Sequence, residues 1–113
     1  MKFKISQQGS VTVISLQGNV MGGPDATTLN AQIHDLIDQG KTQIVLDLAG
    51  VEFMNSSGLG MLIGGASTLK NAGGRLKLAN ASEKILALIK ITKLSPIFEH
   101  FESVKTAVAS FAD

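Results

Sequence analysis

Strand-like and helix-like segments alternate along this chain, and that alternation narrows the available folds more than any other feature. Residues 11–16 (Val11-Thr12-Val13-Ile14-Ser15-Leu16) are β-branched and apolar. Residues 44–48 (Ile44-Val45-Leu46-Asp47-Leu48) are almost continuously apolar, as expected of a central strand buried on both faces. Residues 75–79 alternate polar and apolar with period two. Between these runs, Leu29, Ile33, Leu36 and Ile37 stand at helical spacing, and so do Leu59, Leu62, Ile63, Ala66 and Leu69. Phe3 and Ile5 alternate with polar residues ahead of Gln8-Gly9-Ser10, so residues 2–17 read as a hairpin. Ile85, Leu88 and Ile89, and then Val104, Val108 and Phe111, mark two further helices. A last short strand is expected over residues 97–101, after a break at Ser95-Pro96. The predicted order is ββαβαβαβα, which places the chain in the α/β class. Its sheet is expected to be mixed but mostly parallel, with four or five strands and about four helices packed on it.

Punctuation agrees with this outline. Gly22-Gly23-Pro24-Asp25 opens the first helix, and Gly40 ends it as a C′ residue. Residues 71–74 form a turn, and Asn80 with Glu83 has the form of a capping box. With 113 residues and no linker or repeat, residues 1–113 are read as one domain.

Composition removes whole classes of chemistry. There is no cysteine, so no disulfide framework, thiol nucleophile or Cys-based zinc site is expected. The two histidines, His34 and His100, lack metal-ligand spacing, and no metal, cofactor or catalytic residue is expected. Without Trp or Tyr there is little to stack on nucleic acid. Residues 70–93 carry six bases and one acid, a local charge of +5. These bases (Lys70, Arg75, Lys77, Lys84, Lys90, Lys93) alternate with apolar residues and are expected on the solvated faces of a strand and two helices. A polar stretch at residues 6–10 follows the basic start, so no signal peptide is expected, and no window is apolar enough to span a bilayer. A cytoplasmic location is expected, with neither membrane insertion nor direct nucleic-acid binding.

Residues 53–69 contain no charge and four glycines (Gly58, Gly60, Gly64, Gly65). Each glycine inside a helix costs up to about 1 kcal/mol relative to alanine. On a helical wheel, Leu59, Leu62, Ile63, Ala66 and Leu69 belong in the core. The opposite face, Gly60, Met61, Gly64, Gly65 and Thr68, is small and uncharged. It is expected either to be covered by a neighbouring helix or to dock a partner protein. Ser56 and Ser57 lie at the helix entry, where a serine makes a good N-cap and a phosphate would meet the positive end of the helix dipole. Gly58-x-Gly60-x-x-x-Gly64 does not directly follow the strand ending at Leu48 and lacks the following acid of a dinucleotide site. Neither serine has the glycine frame of a hydrolase nucleophile.

The run Val45-Leu46-Asp47-Leu48-Ala49-Gly50-Val51-Glu52-Phe53-Met54-Asn55-Ser56-Ser57-Gly58-Leu59-Gly60 resembles the signature of the STAS family, and is most similar to bacterial single-domain anti-sigma factor antagonists. Residues 88–98 are similar to that family's C-terminal helix-to-strand stretch. The resemblance implies the STAS fold and a phospho-switch rather than an enzyme. It implies that Ser56 is phosphorylated by an anti-sigma factor that is also a serine kinase of the GHKL type, and dephosphorylated by a metal-dependent phosphatase. The unphosphorylated form would bind the kinase and so free a sigma factor. Asn55, Ser57 and Gly58 would form the phosphosite environment, with Ser57 as helix cap. Gly22, Gly23, Leu59, Gly60, Met61 and Gly64 would contact the partner, the chain itself being a monomer or weak dimer. Two departures stand out: Asn55 replaces the family's acid before the serine pair, and Asn19-Val20-Met21-Gly22-Gly23-Pro24-Asp25 stands where the family usually has a Glu-Leu-Asp-type stretch after the second strand. A non-phosphorylated scaffold subunit of a transport or sensory complex is the alternative such a domain allows.

Overall fold

The computed structural model describes residues 2–91 and 98–112. Among these residues five strands form one sheet: β1 (Lys2–Gln8), β2 (Val11–Gln17), β3 (Gln43–Gly50), β4 (Arg75–Ala79) and β5 (Glu99–Phe101). Their spatial order is β1-β2-β3-β4-β5. The β1–β2 hairpin is antiparallel, and the other pairs run parallel. The helices of the described residues are α1 (Pro24–Asp38), α2 (Ser56–Asn71), α3 (Glu83–Ile91) and α4 (Val104–Ser110). The expected element order and the mixed sheet are both present. The break at Ser95-Pro96, and residues 92–97 generally, lie outside the described residues.

β3 occupies the middle of the sheet, and Ile44, Val45, Leu46 and Leu48 are all buried. Its two faces enter different cores. Ile44, Leu46 and Leu48 join Ile14, Leu16, Leu76 and Leu78 beneath α1, α2 and α3. Val45 joins Val11, Val13 and Ala79 beneath α4, with Phe101, Val104, Val108 and Phe111 around them. One face is therefore covered by α1, α2 and α3, and the other by the short α4.

The α1 exit follows its expected form. Gly40 has φ +76°, its N–H reaches the Ile37 carbonyl at 2.9 Å, and the Lys41 N–H reaches Leu36 at 2.8 Å. That pair of bonds is a Schellman motif, which satisfies the last helical carbonyls.

Two expectations need correction. Asn80 does not start a capping box. Ser82 caps α3, its Oγ accepting from the Ile85 N–H at 3.3 Å, while Asn80 takes a left-handed φ of +60°. Its side-chain amide instead donates to Asp47 Oδ1 at 3.0 Å. Nor is Lys77 solvated: it points toward α4 on the side of the sheet opposite Leu76 and Leu78, and its side chain is only 4% exposed. Its Nζ donates to Ser110 Oγ at 2.7 Å and lies 4.3 Å from the centre of the Phe111 ring.

Candidate functional site

The loop between β3 and α2 is braced by the segment that leaves β2. The Val20 N–H donates to the Phe53 carbonyl at 2.9 Å and the Asn55 N–H to the Val20 carbonyl at 3.4 Å, forming an isolated parallel bridge between Val20 and Met54. Both bridge residues are buried. Because side chains alternate along an extended chain, their neighbours Met21, Phe53 and Asn55 turn outward. The loop thus delivers the chain to α2 at a set height above the C-terminal end of β3.

Ser56 is the first residue of α2, and both Ser56 and Ser57 are exposed. The cap is neither serine. Asn55 is extended (φ −99°, ψ −179°), and its Oδ1 accepts from the Gly58 N–H at 2.8 Å. With Asn55 capping, the exposed Ser56 hydroxyl is not needed for that role, and the N–H groups of Ser56 and Ser57 have no intrahelical acceptor. Gly22 (φ +84°) lies against Ser57; a Cβ there would stand 3.0 Å from Ser57 Cβ. The β2–α1 loop and the start of α2 are therefore one continuous surface.

The expected partner face is only partly on that surface. Leu59 (2% exposed) and Met61 (7%) point into the core beneath α1 and α2, so their side chains offer nothing to a partner. Gly65 faces α1, where a Cβ would stand 2.8 Å from Ile33 Cδ1, and the Thr68 hydroxyl reaches Asn30 Oδ1 at 3.3 Å. The small-residue side of α2 is thus shared between a helix–helix contact and open surface. Gly23, Gly60 and Gly64 are exposed, and a methyl group added at any of them would meet nothing within 4 Å. Gly22 is buried beneath the loop.

Two exposed apolar side chains were not among the expected contacts: Met21, 45% exposed, and Phe53, 50%. The signal for them was the inward pair Val20 and Met54, whose neighbours an extended backbone turns to solvent.

Asp47 is a structural acid. Its Oδ1 accepts from the Ala49 N–H at 3.1 Å and from Asn80, and its Oδ2 from the Ser15 hydroxyl at 3.3 Å, tying β2, β3 and the β4–α3 turn together. His34 is exposed. His100, on β5, accepts the Ala81 N–H at Nε2 (3.1 Å). Burial holds its pKa below the usual 6.5, opposed by the nearby carboxylate of Glu102. Folded His100 therefore binds protons less readily than unfolded His100, so stability is lost as pH falls through and below 6.5. Urea unfolding between pH 7.5 and 5 is expected to show this loss, and His100→Gln to flatten it. An unchanged slope in that variant would assign the loss elsewhere. Among the described residues no three His, Asp or Glu side chains are placed to hold a metal ion, and no helix is long and apolar enough to cross a membrane.

The family model of the STAS domain matches residues 2–107, and the chain belongs to that family. The anti-sigma-B factor antagonist of Bacillus subtilis (strain 168) is 36% identical over 87 residues, spanning 74% of this chain and 79% of that protein. The solved structure of the Bacillus cell fate determinant SpoIIAA in its phosphorylated form is 25% identical, with a TM-score of 0.74 over 97% of this chain and 99% of that one. The unphosphorylated anti-sigma factor antagonist SpoIIAA is 23% identical, with a TM-score of 0.73 over 98% and 97%.

Proposed function

We propose that this protein is an anti-sigma factor antagonist whose binding to an anti-sigma factor is switched by phosphorylation of Ser56. The observation that carries the reading is the position of that hydroxyl. It is exposed at the first turn of α2, beside a cap already supplied by Asn55, and it lies within a stretch of seventeen uncharged residues, 53–69. The partner surface is the outward loop face of Met21, Gly23 and Phe53, continued by Gly60 and Gly64 on α2. A phosphate adds about −1.5 to −2 charge. On this face it is the dominant local field and must be desolvated or repelled when a partner closes over it. The likeness of the chain's fold to SpoIIAA in both its phosphorylated and unphosphorylated forms supports a switch that leaves the backbone in place.

The partner is a serine kinase of the GHKL type that doubles as the anti-sigma factor, and a metal-dependent phosphatase resets the site in the cytoplasm. Incubation with candidate GHKL-type serine kinases and ATP, followed by intact mass, tests this. Gain of one phosphate that disappears in Ser56→Ala supports the switch. No phosphate with any such kinase favours a non-phosphorylated scaffold role.

The open glycines make a separate prediction. Nothing within 4 Å opposes a methyl group at Gly64, so Gly64→Ala is expected to stabilise the fold by roughly 0.5–1 kcal/mol. The same methyl group is expected to weaken kinase binding, because it holds the partner away from the helix backbone. Urea unfolding and affinity measured on one preparation check both signs; tighter or unchanged binding would remove Gly64 from the contact.

A further inference from the structure

The basic block of residues 70–93 does not act as one patch. Lys84 and Lys90 lie exposed on α3, whereas Arg75 and Lys77 come together on the α4 side of the sheet. We propose that the cleft between the N-terminal ends of β3 and β4 and the C-terminal end of α4 binds a small phosphorylated molecule through Arg75 and Lys77.

The cleft has a volume of about 370 Å³, and its walls include Thr42, Gln43, Arg75, Lys77, Ser110 and Phe111. Among the described residues no acid stands in these walls, but the Glu99 carboxylate lies 3.4 Å from Arg75 Nη1 and 3.7 Å from Lys77 Nζ, so an incoming anion displaces it. Arg75 and Lys77 are two apart on one strand, so they share a face at a separation of roughly 7 Å. Both cationic groups already reach one carboxylate, that of Glu99, at 3.4 and 3.7 Å, so a single oxyanion that displaces it can meet both.

Lys77 is the unusual member. Its ammonium is nearly buried, and burying a charge is costly unless it is paired and hydrogen-bonded. Its hydrogen bond goes to a neutral hydroxyl, Ser110 Oγ at 2.7 Å. Its ion-pair partner, Glu99 Oε2, stands at 3.7 Å, beyond hydrogen-bond length, on a side chain that is half exposed. The rings of Phe111 and Phe101, at 4.3 and 5.5 Å, supply the rest. An ammonium has three N–H donors, so this one keeps donor capacity beside the cleft. Arg75 is tethered just as loosely. Its Nη1 lies 3.4 Å from Glu99 Oε1 with both side chains exposed, a contact worth little in water, so the guanidinium can turn to an anion. Lys70 lines the adjoining cleft beside Arg75 and Glu99, so the local balance of charge is positive.

The site lies at the end of the parallel strands opposite Ser56, and it does not depend on the switch. The full chain is titrated with inorganic phosphate and, separately, with ribose 5-phosphate, against sodium chloride at matched ionic strength, while amide resonances are followed by NMR. Saturable shifts at Thr42, Gly74, Arg75, Lys77 and Ser110 are expected, unchanged in Ser56→Ala. Arg75→Gln, at an exposed position, is expected to weaken binding about tenfold without altering the thermal midpoint. Tighter binding of ribose 5-phosphate identifies a phosphorylated metabolite, and equal binding identifies phosphate itself; either supports the site. Shifts reproduced by chloride, or saturable binding untouched by Arg75→Gln, overturn it.

Discussion

Ser56→Asp is expected to weaken binding to the kinase partner by roughly 30- to 150-fold while making the isolated protein slightly more stable. The two effects have separate causes. A carboxylate at the first position of α2 faces the N–H groups that the helix leaves unpaired, and an acid there stabilises a helix by about 0.3–1 kcal/mol. At the interface the same charge has no counter-ion on this face, because residues 53–69 carry none. Covering it with a partner costs about 2–3 kcal/mol of desolvation, which sets the loss of affinity. Opposite signs are what make the test useful, since a variant that bound poorly because it was misfolded would also melt earlier. Calorimetric titration with the kinase, paired with thermal unfolding, reads both. Ser56→Ala adds no charge and is expected to bind like the wild type. Wild-type affinity in Ser56→Asp would sink the charge-exclusion mechanism while leaving the family assignment standing.

What could be read in advance followed the physics of repetition. The apolar run of β3 could only be a strand covered on both faces, and it lies at the centre of the sheet. Helical spacing located α1 and α2, and Gly40 marked an exit that needs a positive φ. The misread features turned on choices between near-equivalent neighbours or on contacts distant in sequence. Asn55, Ser56 and Ser57 are all good caps, and only the extended backbone at Asn55 decides between them. Asn80 has the local form of a cap, but its amide is taken by Asp47, thirty-three residues away. Lys77 looked solvated because alternation along β4 identifies one buried face; that α4 buries the other face is a fact of topology. Leu59 and Met61 show the same limit in the site. A wheel sorts residues by angle, whereas α1 and the sheet together cover more than half of α2, leaving only Gly60 and Gly64 of the expected helical contacts open.

Those glycines frame the second large effect. Gly58→Ala is expected to destabilise the protein by about 2–4 kcal/mol, lowering the thermal midpoint by roughly 10 °C or more. A Cβ at Gly58 would stand 1.9 Å from the Val20 carbonyl oxygen and 2.7 Å from its carbon. Neither neighbour is the tip of a flexible side chain. The Val20 carbonyl accepts the Asn55 N–H, and Val20 is bridged to Met54, so moving it breaks the brace of the phosphosite loop. Gly58 also supplies the N–H that Asn55 caps, so a shift of the helix start costs that bond as well. The other glycines of α2 give internal controls. At Gly65 the obstacle is Ile33 Cδ1, at 2.8 Å, which a rotamer change can relieve, so Gly65→Ala is expected to cost less. At Gly60 and Gly64 there is no obstacle, and helix propensity alone makes alanine favourable. The expected order of stability is therefore Gly64→Ala above wild type, then Gly65→Ala, then Gly58→Ala. Urea unfolding of the three variants measures it. A Gly58→Ala protein as stable as Gly65→Ala would mean that the Val20 segment yields easily, and that the loop holding Ser56 is not braced in the way its hydrogen bonds imply.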